Sequence, residues 1–164
     1  SYKMLSKSLK SLKSQDVFDW QLLIAGDGPI RSGVELMFEG LPVRFVGEVN
    51  QSTLFDLMAA ADMFLWPAID EAYGMAILEG QSQGLPVIAG SGGGVGDIVR
   101  DGVTGILTKQ GDVKAFSRAI RRLSVDSVTL AEMGDQARLT VVREHALSGM
   151  ALQLDTALKR LING

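Results

Sequence analysis

The sequence predicts an α/β fold, a doubly wound parallel sheet, from three observations. Short apolar runs recur along the chain, each closed by glycine, proline or polar residues. Within them polar and apolar residues do not alternate, as expected of strands covered on both faces. The segments between carry apolar residues at helical spacing, and strand–helix alternation implies right-handed parallel crossovers.

Tyr2, Leu5, Leu9 and Leu12 fall on one face of a first helix, with Lys3, Lys7, Lys10 and Lys13 around the other, which reads as a solvated face. WQLLIAG (20–26) reads as a buried strand and GDGP after it as a turn. Pro29 can open a second helix that ends near Gly40. VRFVG (43–47) is the next strand, and Asn50 or Ser52 can cap a helix bearing Leu54, Phe55, Leu57, Met58 and Ala61. DMFLWP (62–67) is a third strand, followed by a helix from about Tyr73 to Gln83. GLPVIAG (84–90) and TGILT (104–108) complete the strands. Ala115, Phe116, Ala119, Ile120 and Leu123 mark another helix, and two more fill 127–143 and 147–162. There is no internal repeat, low-complexity tract or linker, so residues 1–164 read as one domain.

Composition narrows the function. At 46% hydrophobic the chain can build a core. A net charge of −3 gives no broad basic surface for nucleic acid, a local patch excepted. The absence of cysteine removes disulfides and fits a reducing, cytoplasmic setting. One histidine, His145, rules out a histidine metal cluster and reads as a helix-end residue. No apolar run approaches the roughly 20 residues of a membrane helix.

Ligands of doubly wound folds bind beyond the C-terminal ends of the strands. The informative residues are therefore Gly26–Gly28, Gly47–Val49, Pro67–Met75 and Ser91–Gly94. The third of these segments runs into EAYGMAILE (71–79). A helix starting near Gly74 leaves the amides of Gly74, Met75 and Ala76 as unsatisfied donors at its positive end, an anion site suited to a diphosphate. Glu79, about one and a half turns in, can accept hydrogen bonds from two ribose hydroxyls, and Glu71 lies toward the sugar end. Taken singly, these features also read as helix capping and turns. SGGG (91–94) fits either a phosphate cradle or a plain loop, and lacks the Lys-Ser/Thr ending of a P-loop.

In register, LLIAGDGP (22–29), VRFVGEV (43–49), AADMFLWPAIDEAYGMAILEG (60–80), GLPVIAG (84–90) and DGVTGILTKQGD (101–112) resemble the donor-binding C-terminal domain of the retaining family-4 glycosyltransferases, one Rossmann-like half of a GT-B architecture. The resemblance implies a nucleotide-diphosphate-sugar donor, transfer with retention at the anomeric carbon, and neither cofactor nor metal. It places Glu71 by the donor sugar as the catalytic-side residue and Glu79 on the ribose. Tyr73, Gly74, Met75 and Ala76 fall in the segment that meets the diphosphate or sugar, and the Val49 backbone lies at the nucleobase.

Departures are Ala72, Tyr73, Gln81-Ser82, Asp97 and Gly80, the last costing about 1 kcal/mol of helix stability against alanine. The family's first strand, with an Arg and a Lys that clamp the diphosphate, has no counterpart here. Nor does the N-terminal acceptor domain. The expectation is thus the donor half of a larger enzyme, inactive alone, with room for peripheral membrane association of the whole. Two other readings stay open: a GT-B-like sugar-nucleotide epimerase, and a non-catalytic or degenerate doubly wound nucleotide-binding module.

Overall fold

The computed structural model describes residues 1–14, 18–67 and 74–145. The helices among them are α1 (Tyr2–Lys13), α2 (Arg31–Met37), α3 (Gln51–Ala59), α4 (Met75–Ser82), α5 (Val95–Ile98), α6 (Val113–Val125) and α7 (Ser127–Thr140). A π-helical turn, Val141–His145, follows α7. The strands are β1 (Leu22–Ala25), β2 (Val43–Gly47), β3 (Phe64–Trp66), β4 (Val87–Ser91) and β5 (Gly105–Lys109). The expected helix at 147–162 lies outside the described residues.

The strands form two parallel sheets, β1–β2 and β3–β4–β5. In the second sheet Phe64 pairs with Val87 and Val87 with Gly105. Side chains alternate between two cores, as a pleated strand requires. Leu65, Ile88 and Ile106 face the core built on α1 and α6, with Leu9, Phe116, Ile120 and Leu123 buried there. Phe64, Trp66, Val87, Ala89 and Leu107 face the other, closed by Ile77 of α4 and by Val95 and Ile98 of α5.

The uniform two-sided burial expected from the apolar runs holds for β4, where Val87, Ile88 and Ala89 are all 0% exposed. It fails for β1. Leu22 and Ile24 pack on the α1–α6 core, but Leu23 is 38% exposed. The reason is a trough of about 1330 Å³ that separates the two sheets. Its walls include β1 on one side and β3 on the other, and Leu54, Leu57 and Met58 of α3 line it. These are the apolar positions that the sequence pattern assigns to a packed helix face.

Local chemistry explains most boundaries. Asn50 Oδ1 accepts from Thr53 N at 2.8 Å and starts α3. Asp112 caps α6 through Ala115 N, and Asp126 caps α7 through Thr129 N. α2 stops at Met37, before Gly40, because residues 38–40 turn. Residues 141–143 belong to the π-helical turn, whose Glu144 takes both carboxylate oxygens to Arg100 Nη2 at 2.6 Å. α5 has four residues, too few to show a helical period, and the sequence pattern missed it.

Two outcomes test this packing. A Cβ on Gly105 would fall far inside contact distance of the Val87 carbonyl. Gly105→Ala is expected to destabilise by about 1–3 kcal/mol in chemical denaturation. The Thr129 hydroxyl, then its amide, holds the Asp126 carboxyl below its ordinary value. Its contribution is complete above the unfolded value, near 3.8, and is lost as pH falls through the lowered folded value. Thermal melts of Asp126→Asn should therefore fall less steeply with acid than those of the unsubstituted protein.

Candidate functional site

The candidate site lies where α4 begins, at the C-terminal end of the strands. Gly74 is the N-cap, in the left-handed conformation (φ 69°, ψ 48°), which a residue with a Cβ rarely adopts. It has no side chain to close the first turn, unlike Asn50, Asp112 and Asp126 at α3, α6 and α7. Its carbonyl accepts from Ile77 N at 2.8 Å. The amides of Met75 and Ala76 have no bonding partner among the described residues. Two donors thus remain at the positive end of an eight-residue helix.

Ala76 and Glu79, both half-buried, line the trough together with Val49 from the loop after β2. Three of the residues singled out from the sequence therefore meet on one wall system. Gly74 is buried and the Met75 side chain is 60% exposed, and neither lines the trough. Glu71 and Tyr73 lie outside the described residues. Gly26 and Glu48, both among the strand-end residues, also line the trough, as does Trp66, which the sequence did not single out. Trp66 reads simply as strand core.

The charge balance of the trough is one-sided. Asp19, Glu48, Asp62 and Glu79 line it, and no Lys or Arg does so among the described residues. Arg31 is engaged elsewhere, bound to Asp27 and Glu35 at 2.8 Å each. The Gly28 amide and then Arg31 hold the Asp27 carboxyl below its ordinary value. Asp27-Gly28 is accordingly a structural turn, as its sequence suggested.

Behind Glu79 sits a buried polar clasp. Gln81, 0% exposed, donates to Thr104 Oγ1 at 3.0 Å, and the same hydroxyl accepts from Arg100 N at 2.9 Å. This fixes α4 to the segment between α5 and β5. Gly80 lies against Phe64, whose ring would stand 3.1 Å from an added Cβ. Two of the residues that depart from the family pattern, Gly80 and Gln81, are thus explained by their neighbours.

The pattern of the "Glycosyl transferases group 1" family matches residues 1–140. The chain belongs to that family. It is 35% identical over 139 residues to a sulfoquinovosyl transferase of Arabidopsis thaliana, covering 82% of this chain and 27% of the relative. Its fold resembles a sucrose-phosphate synthase from Thermosynechococcus elongatus (TM-score 0.79, 26% identity, 99% of this chain and 43% of that one). It also resembles Anabaena HepE, solved in complex with UDP and glucose (TM-score 0.77, 22% identity, 97% and 45%). The two solved structures are of GT-B glycosyltransferases, and the chain spans less than half the length of each of the three proteins.

Gln81→Ala should lower unfolding stability by about 2 kcal/mol, since it opens a small cavity and leaves buried polar groups short of a partner. Chemical denaturation of the variant checks this.

Proposed function

We propose that these residues form the donor lobe of a retaining glycosyltransferase using a nucleotide-diphosphate sugar. The observation that carries the reading is the open start of α4. Its Met75 and Ala76 amides stand at the positive helix end, with Glu79 and Val49 on the adjoining trough. Group 1 membership, and the UDP complex of the structurally similar HepE, support it.

In this reading the amides bind the diphosphate, and Gly74 lets it approach the backbone. Glu79 accepts hydrogen bonds from the ribose hydroxyls, and the Val49 backbone meets the base. Glu71 and Tyr73 serve the sugar end. No metal or cofactor enters; the setting is cytoplasmic, and the acceptor is bound by a second lobe.

The reading also includes a further parallel strand between β1 and β3. Both strands are apolar yet half-open where they border the trough, and Leu54, Leu57 and Met58 of α3 line it with no filling partner among the described residues. A strand ahead of α1 would reach that position by one crossover, because Ser1 and Tyr2 lie on the trough. Cationic residues in the loop after it would offset Glu48 and Glu79 and complete the diphosphate site. Residues 1–164 alone then bind donor weakly and transfer no sugar; a single turnover by them would refute this part.

Calorimetric titration of the intact protein with UDP, GDP, ADP and their common sugar conjugates tests the reading. Saturable binding to one base is expected. Glu79→Ala should weaken it by about 10- to 100-fold, the worth of hydrogen bonds to a charged group. Silence across the panel would instead favour a degenerate binding module.

A further inference from the structure

α1 and α6 pack side by side on one face of the fold, with Ser8 Oγ donating to the Val113 carbonyl at 3.2 Å. Their buried sides point into the same core, through Leu5, Leu9 and Leu12 on one and Phe116, Ile120 and Leu123 on the other. Their outer sides therefore form one continuous surface. Every charged residue on the two helices is cationic. Lys3, Lys7, Lys10 and Lys13 lie on α1, and Lys114, Arg118, Arg121 and Arg122 on α6. These are eight of the sixteen Lys and Arg residues, against none of the nineteen Asp and Glu.

Lys3, Lys7 and Lys10 fall within about 60° of arc on α1, as do Lys114, Arg118 and Arg121 on α6. All six are exposed. Each stripe runs about 10 Å, and packed helices lie about 8–10 Å apart, so the charges share one Debye length. Among the described residues no carboxylate pairs with Lys3, Lys7, Lys10, Lys114 or Arg118. The carboxylates at the ends of α6 are its own N-cap Asp112 and, next to Arg122, Asp126.

Helix electrostatics does not account for this face. Cations suit a helix C-terminus, yet Lys3 and Lys114 occupy first turns that carry no acidic residue. Like charges three and four positions apart repel one another. Solvation alone would be served as well by mixed charges.

We infer that the α1–α6 face docks on an anionic lipid surface. Two convex helices lying side by side make a flat face, which suits a plane of headgroups held by delocalised attraction. The stripes carry no aromatic ring for stacking bases, and Tyr2, beside Lys3, is turned edge-on against Phe38. α6 begins just past the C-terminal end of β5, and Ser1 and Tyr2 at the start of α1 line the trough, so docking sets the trough beside the membrane. The inference stands apart from the sugar-transfer reading, because it uses no residue of the candidate site.

Flotation of the intact protein with two kinds of vesicle tests it: phosphatidylcholine alone, and phosphatidylcholine with about 30% phosphatidylglycerol, where each Lys or Arg near the surface gains most. Binding to the anionic vesicles alone is expected, weakening as salt rises. Lys7→Gln with Arg118→Gln should reduce partitioning roughly tenfold or more. Both positions are exposed, so circular dichroism and nucleotide binding should stay unchanged. No binding to anionic vesicles, or binding that the double variant leaves intact, would overturn the inference. Tighter binding to a DNA duplex at equal salt would overturn it in favour of a nucleic-acid partner.

Discussion

The fold depends on β4. Among the described strands it alone is paired on both edges, with β3 and β5, and buried on both faces. The two cores meet across it: Ile88 belongs to one, Val87 and Ala89 to the other. α4 and α5 pack on one side and α6 on the other. The close pairing of β4 with β5 is possible because Gly105 has no side chain to strike the Val87 carbonyl. Burial of this kind, at about 25 cal/mol per Å² of apolar area, is the largest favourable term in folding. It rigidly supports α4, and the open amides of Met75 and Ala76 inherit their position from it.

The trough is the converse of β4. Among the described residues β1 and β3 each lack a neighbour on one edge, and both are as apolar as β4. An unpaired strand edge presents donors and acceptors for pairing. The same region carries carboxylates and no cation among the described residues. The strand proposed between β1 and β3, with cationic residues beyond its end, would answer the unpaired edges, the uncovered apolar wall and the charge imbalance together.

Much of this was legible in the residues. The five strands, the helices that alternate with them and the N-cap Asn50 follow from apolar runs, helical spacing and capping chemistry. The division of the sheet did not, because apolarity marks a strand as buried without saying which neighbour buries it: LLIA and VIAG read alike, yet one borders the trough. Four-residue α5 carries no period to detect. In isolation Gly80 read as a cost to its helix and Gln81 as a departure from the family pattern. Their reasons, the Phe64 ring and the Thr104 hydroxyl, lie far away in sequence. Of the site, Val49, Ala76 and Glu79 line one trough. Glu71 and Tyr73 fall outside the described residues.

The lysines of α1 show why a pattern needs its tertiary neighbour. Alone, Lys3, Lys7 and Lys10 opposite a leucine stripe are what any amphipathic surface helix shows. Set against α6, they become half of a cationic plane on a chain whose net charge is −3. The remaining charge is therefore strongly acidic, and the molecule is polarised, with carboxylates along the trough and cations on one flank. Such an arrangement orients the whole body in an external field as well as attracting it. At an anionic surface the flank turns inward and the acidic remainder is repelled. The mouth of the trough is then held beside the water–headgroup boundary.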